Sequence, residues 1–169
     1  MMAKNTPLIS FVAACSDMGK TTILLQTAAY LKEQGWHLAV IKHGHHLALP
    51  PQTKDSSRYH DLGLEAVLIL SPQGWLMSGK PKEEPTLAEA VGWLEPFDID
   101  LILVEGYKNG QQKKIEVCRR ALYQGLVCGE EELLAIISDF DLPSQCPVFD
   151  CNDISAIGDF IIDSCGLRK

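Results

Sequence analysis

The chain has no surplus of positive charge. Its 15 Lys and Arg stand against 22 Asp and Glu, for a formal net charge of −7 over 169 residues. General nucleic-acid binding needs a basic face, so that class of partner is excluded, although local basic residues remain compatible with one small bound anion. No apolar run reaches transmembrane length, and Met1-Met2-Ala3-Lys4-Asn5-Thr6-Pro7 lacks the apolar core of a secretion signal. The expectation is therefore a cytoplasmic protein with no membrane partner. The six cysteines, Cys15, Cys118, Cys128, Cys146, Cys151 and Cys165, show no C-x-x-C spacing and read as reduced, partly buried thiols. There is no internal repeat, low-complexity tract or linker, so residues 1–169 read as a single domain long enough to bury a core. With 46% hydrophobic and 22% charged residues, the composition is ordinary globular material.

What is present is concentrated near the start. Ala13-Ala14-Cys15-Ser16-Asp17-Met18-Gly19-Lys20-Thr21-Thr22 follows an apolar run, Leu8 to Val12, and opens a helical pattern with Ile23, Leu24, Leu25, Ala28 and Leu31. This is the strand–loop–helix setting of a Walker A phosphate loop. Backbone N–H groups of Cys15 to Thr22 would cradle phosphate, Lys20 would reach the outer phosphates, and the Thr21 hydroxyl would sit on Mg²⁺. Two residues depart from the pattern: Ala14 stands where the first glycine belongs, and Asp17 puts a carboxylate in a loop meant for anions. The alternative reading is a plain β–α turn with a threonine cap.

Strand-like runs alternate with helical patterns, which predicts an α/β fold: a P-loop NTPase three-layer sandwich with a mostly parallel sheet flanked by helices. Strands are expected at 37–42, 66–70, 75–77, 101–104, 115–117, 133–137 and 148–149. The first helix should stop near Gln34 before Gly35, and a short helix is expected from Asp55 to Leu62. Thr86 with Glu89 forms a capping box for a helix running to about Leu94, and Asp153 caps a final amphipathic helix. The polar, Gly-containing stretch Tyr107 to Lys114 is expected to be mobile.

Open parallel sheets bind ligands beyond the carboxyl ends of their strands. Four polar groups converge there: the phosphate loop, Lys42-His43-Gly44-His45-His46, Glu105, and Asp139 or Asp141. Glu105, after four apolar residues, fits an acid that holds Mg²⁺ directly or through water; strands also commonly end in a charge for no such reason. His43, His45 and His46 are too close to form a rigid three-ligand zinc site alone, so the preferred reading is a basic loop facing phosphate. Lys54-Asp55-Ser56-Ser57-Arg58 is like the loop that reaches Mg²⁺ in nucleotide switches, or else a solvated helix start capped by Asp55.

Taken together, Ile41-Lys42-His43-Gly44-His45-His46, Lys54-Asp55-Ser56-Ser57-Arg58, Glu105-Gly106-Tyr107-Lys108 and Lys114-Ile115-Glu116-Val117-Cys118-Arg119 resemble ordered motifs of the molybdopterin-guanine dinucleotide biosynthesis protein B (MobB) family. The resemblance runs from Ile9 to about Arg119, and more loosely to Asp141. The family loop usually has glycine where this chain has Ala14 and Asp17, and acidic residues where this chain has Leu47 to Pro51. The resemblance implies GTP and Mg²⁺ as cofactors, slow hydrolysis, a homodimer, and cooperation with the molybdenum cofactor guanylyltransferase that attaches GMP to molybdopterin.

On this reading Lys20 and Thr21 hold phosphate and metal, with Asp55 and Glu105 completing the metal shell. Lys42, His43, His46, Arg58 and Lys108 line an anionic cleft that faces nucleotide or molybdopterin phosphate. Asp141, with Asp139 as alternate, occupies the register in which related GTPases read guanine with N-K-x-D; two surface acids would look the same. The chain is then at most a weak GTPase, accessory to the transferase. The rivals are a nucleotide-regulated adaptor without meaningful hydrolysis, a small-molecule kinase or ATP-dependent ligase, which would need an arginine-rich lid, and a metal-insertion GTPase.

Overall fold

The structure, a computed structural model, describes residues 6–44, 62, 64–79 and 81–169. The expected helix at 55–62 and the site candidates Asp55, His46 and Arg58, with His45, therefore lie outside the described residues. In chain order the elements are β1 (Leu8–Val12), α1 (Lys20–Glu33), β2 (Leu38–Lys42), β3 (Ala66–Ser71), β4 (Gly74–Gly79) and α2 (Leu87–Gly92). Then follow β5 (Leu101–Glu105), β6 (Lys114–Cys118), a 3₁₀ turn (Arg120–Leu122), β7 (Leu133–Ser138), β8 (Val148–Asp150) and α3 (Ile154–Ser164). Two compact units result: Met1–His43 with Val91–Lys169, and Gly44–Ala90.

The first unit holds a six-stranded sheet in the order β2-β5-β1-β6-β7-β8. Every neighbouring pair is parallel. Alternation along each strand divides the side chains between the two faces. Ile9 and Phe11 of β1, Leu101 and Leu103 of β5, Ile115 and Val117 of β6, and Ala135 and Ile137 of β7 form one core with Ile23, Leu24 and Leu31 of α1 and Ile157 and Ile161 of α3. Each such fully buried Ile, Leu, Val or Phe side chain contributes ~1.5–3 kcal/mol. The Tyr30 hydroxyl donates to Asp159 at 2.8 Å and ties the two helices together. Val12, Cys118 and Ile136 face a second, smaller cluster with Cys128, Leu133 and Leu142. The outcome is the expected α/β architecture of the P-loop NTPase type, with a mostly parallel sheet.

The second cluster's face of the sheet is polar near its middle. The Lys114 ammonium is fully buried; it donates to Gly110 O and to Glu132 Oε1, each at 2.6 Å. Glu116, also buried, accepts from the backbone N–H of Val127 at 2.9 Å and of Cys128 at 3.1 Å. Burial raises its carboxyl pKa above the ordinary value, and those backbone donors oppose the rise.

The stretch Tyr107 to Lys114, expected to be mobile, is hydrogen-bonded within itself and to β1. Gln112 Nε2 donates to Ser10 Oγ at 2.8 Å and to Tyr107 O at 2.7 Å, and Gly110 N donates to Tyr107 O at 3.0 Å. Polar composition alone cannot distinguish a solvated loop from one that supplies its own acceptors.

In the second unit, β3 and β4 pair as an antiparallel hairpin about the Ser71–Gly74 turn. The capping box is present: Thr86 N and Oγ1 each meet Glu89 Oε2 at 2.8 Å, and Glu89 N donates back to Thr86 Oγ1. The helix it opens ends at Gly92, short of the expected Leu94. Among the described residues no helix is long and apolar enough to cross a membrane.

Candidate functional site

Parallel pairing carries every strand's carboxyl end to the same edge of the sheet, so residues far apart in sequence meet there. The loop after β1 is held from below by Met18, whose side chain is buried in the helix-side core. Gly19 then adopts φ +83°, and no side chain caps the start of α1. The helix opens with its N–H groups directed out of the loop, and its first turn carries no acidic residue, which suits an anion. Lys20 Nζ bends back to donate to Cys15 O at 3.2 Å. Cys15, Ser16, Thr21 and Thr22 are exposed.

The two departures in the loop differ in kind. Asp17 sits at φ +64°, the left-handed region that glycine enters freely and a short Asp tolerates. Ala14 is absent from the positive-φ residues, and its methyl group packs at the margin of the core. The missing first glycine is therefore accommodated without backbone strain, whereas the second replacement occupies a position that wants glycine.

Beside the loop, β5 ends in Glu105, 8% exposed and on the helix side of the sheet. Thr21 Oγ1 donates to Glu105 Oε1 at 2.6 Å, and Lys42 Nζ donates to Glu105 Oε2 at 3.1 Å. The second contact follows from register, because Lys42 and Glu105 are directly paired across β2 and β5. His43 N donates to Glu105 O at 2.9 Å, and its ring lies 4.5 Å from that of Tyr107. Gly106, at φ +101°, sits where a side chain would be strained, and a Cβ there would crowd His43 O at 3.1 Å. This is the physical reason for glycine in the Glu105-Gly106-Tyr107-Lys108 motif. Lys108 is exposed in the turn that follows.

A hydroxyl and a buried carboxylate in contact at the loop supply hard oxygen donors, which match Mg²⁺ and its preference for few protein ligands. Lys42 already neutralises the second carboxylate oxygen, so a divalent ion at Glu105 would share that oxygen pair with an ammonium. Among the described residues no group of three or more His, Cys, Asp and Glu is arranged to hold a metal ion.

On the other side of β1, Asp139 and Asp141 border a cavity of about 720 Å³ at the ends of β7 and β8, together with Arg120, Phe140, Phe149 and Asp150. Asp139 Oδ1 accepts from Arg120 N at 2.8 Å, while Asp141 is exposed at the rim. The Arg120 guanidinium lies 5.0 Å above the Phe140 ring.

Sequence reasoning gave no role to Arg119, the last residue of the Lys114-to-Arg119 motif. Its Nε donates to Met18 O at 3.3 Å and its Nη1 to Cys151 Sγ at 2.9 Å. The structure thus places a guanidinium against the phosphate loop. The available signal was positional: Arg119 directly follows β6, next to β1 in the sheet, but this required knowledge of the strand order.

A glycine-capped loop between the central strand and its helix, with a lysine and a threonine at the helix start and an acid on the neighbouring strand tip, defines an α/β protein of the P-loop NTPase type. Residues 8–139 match the family model described as molybdopterin guanine dinucleotide synthesis protein B. The chain belongs to this MobB family. It is similar to the molybdopterin-guanine dinucleotide biosynthesis adapter protein of Escherichia coli K12, 33% identical over 166 residues that cover 93% of this chain and 92% of the relative. The adapter protein of Haemophilus influenzae is 29% identical over 161 residues, covering 95% and 90%. The crystal structure of Bacillus subtilis MobB shares the fold at a TM-score of 0.75 and 20% identity, covering 96% of this chain and 98% of that one. A MobB homologue from Bacillus stearothermophilus matches at a TM-score of 0.68 and 20% identity, covering 95% and 99%.

Proposed function

We propose that this chain is a GTP·Mg²⁺-binding adapter of molybdopterin-guanine dinucleotide biosynthesis, acting with the guanylyltransferase that attaches GMP to molybdopterin. The observation that carries the nucleotide part is the Thr21–Glu105 contact beside the Lys20 loop, which assembles phosphate and metal donors at one point. The family match and the adapter names of the relatives support the pathway part.

In the proposed complex the Cys15-to-Thr22 loop takes the phosphates, with Lys20 on the outer ones. Thr21 and Glu105 hold Mg²⁺, which supplies charge neutralisation between the phosphates. Asp55 is a further proposed metal ligand, and His46 and Arg58 belong to the proposed cleft with Lys42, His43 and Lys108. That cleft meets either nucleotide or the phosphate of molybdopterin. The cavity bordered by Asp139 and Asp141 is the proposed guanine site; Asp141, exposed at its rim, is better disposed to read the base than Asp139, whose carboxylate already accepts from Arg120 N.

Hydrolysis in this reading is slow, because Glu105, already in contact with Thr21 and Lys42, is assigned to the metal rather than to an attacking water. The same observation favours the second reading, nucleotide binding without meaningful turnover. Turnover measured with and without the transferase separates the two. Homodimerisation is also proposed, and the β3–β4 hairpin offers a face for it: Leu68 and Leu70 are 58% and 73% exposed opposite Met77 and Trp75. Isothermal titration with GTP, ATP and molybdopterin, each with and without Mg²⁺, tests the central assignment. Mg²⁺-dependent GTP binding supports it, and failure to bind either nucleotide rejects it.

A further inference from the structure

Arg119 touches three elements that the nucleotide reading otherwise leaves separate. Its Nε donates to the Met18 carbonyl of the phosphate loop, and its Nη1 donates to Cys151 Sγ after β8. The same Nη1 lies 3.7 Å from Asp139 Oδ2, at the tip of β7 and on the wall of the 720 Å³ cavity. Its Nη2 approaches the loop so closely that a Cβ on Gly19 would sit 3.1 Å away. Only a planar guanidinium, with five donors in a fixed fork, can address these directions at once; the single ammonium of lysine cannot.

We propose that Arg119 is a positioning residue that couples the phosphate loop to the far cavity, so that an anion in the loop is felt at Asp139 and the reverse. The inference rests on the nucleotide reading and goes beyond it by naming how the phosphate loop and the cavity beside Asp139 communicate. The physical argument is competition for one cation. The Arg119–Asp139 pair is long and partly exposed, so it adds little to stability and is readily rearranged. Phosphate oxygens in the loop draw the guanidinium toward themselves through charge-assisted bonds. Each step toward phosphate loosens the hold on Asp139, whose other carboxylate oxygen stays fixed on Arg120 N. Met18 is anchored in the core, so the loop carbonyl gives Arg119 a stationary pivot.

A double-mutant cycle read with Mg²⁺-tripolyphosphate, a ligand that has phosphates and no base, tests this. In the otherwise unchanged chain, Asp139→Asn should alter tripolyphosphate affinity by about threefold to tenfold, although Asp139 lies on the cavity wall and not in the phosphate loop. In an Arg119→Gln background the same substitution should change affinity by less than about twofold. The long-range repulsion between Asp139 and phosphate is present in both backgrounds and cancels in the comparison. Arg119→Lys, which keeps the charge and loses the fork, should bind tripolyphosphate nearly as well as the parent yet lose the coupling; it serves as the second variant should Arg119→Gln fold poorly. Additive effects in both backgrounds overturn the coupling alone. A parent chain that binds neither tripolyphosphate nor GTP overturns the nucleotide reading and this inference with it.

Discussion

The Thr21 hydroxyl donates to Glu105 Oε1 at 2.6 Å, joining the first turn of α1 to the tip of β5 across 84 residues of sequence. The contact depends on Glu105 being at the last position of its strand and on β5 lying beside β1. Moving Glu105 by one residue would turn its side chain to the opposite face of the sheet. From this geometry, Glu105→Gln should leave the fold intact, since an amide oxygen still accepts from Thr21. It removes the charge that balances Lys42 and would hold Mg²⁺. Mg²⁺-dependent GTP affinity is expected to fall about tenfold, ~1.4 kcal/mol, with binding in EDTA almost unchanged. An equal loss with and without Mg²⁺ would assign Glu105 to loop architecture rather than to the metal.

Asp17 carries the one loop departure with a physical cost, because its backbone is left-handed and it adds a carboxylate to the loop proposed to hold phosphate. Asp17→Asn keeps the tolerance for that conformation and removes the charge, so GTP affinity should rise by about threefold to tenfold, more at low salt than at high salt. Asp17→Gly should raise affinity similarly while changing stability by less than about 1 kcal/mol, because relief of the conformation is offset by glycine's chain entropy. A gain in affinity over the parent that is the same at low and high salt contradicts the electrostatic account.

Glu116 makes stability depend on pH. Burial raises its folded-state pKa above the ordinary value of 4.5, so the folded protein binds this proton more tightly than the unfolded chain does. The group's contribution is fully present below 4.5 and is lost as pH rises through the raised value. Glu116→Gln, whose amide oxygen can still accept from Val127 and Cys128, should flatten the stability curve in that window. Urea midpoints measured for both proteins at a series of pH values check this. A steeper dependence in the variant contradicts it.

Features carried by neighbouring residues were legible in the sequence. The capping pair Thr86–Glu89, the Asp153 cap that accepts from Ala156 N at 3.1 Å, and the strand–loop–helix around Lys20 all depend on spacings of a few residues. Glu105 stands at the end of β5, as its place after four apolar residues implied, and there accepts from Thr21. What could not be read depends on which strands are neighbours. Lys114 looks like a surface lysine at the start of a strand, yet it is fully buried because Glu132 and the Gly110 carbonyl surround it. Lys42, expected to face an anion, lies against Glu105 because β2 pairs with β5. Arg119 reaches the phosphate loop only because β6 is inserted between β1 and β7.

The central claim is that the loop around Lys20 binds the phosphates of GTP, and the most direct measurement is calorimetric titration of Mg²⁺·GTP into the parent chain and Lys20→Ala. Lys20 is placed at the first residue of α1, where its ammonium donates to the loop carbonyl of Cys15, so its removal should spare the fold. Loss of its charge-assisted contacts should weaken binding by ~2–3 kcal/mol, about thirtyfold to a hundredfold or more, with an unchanged melting temperature in the absence of nucleotide. Equal GTP affinity in the two proteins would contradict the account.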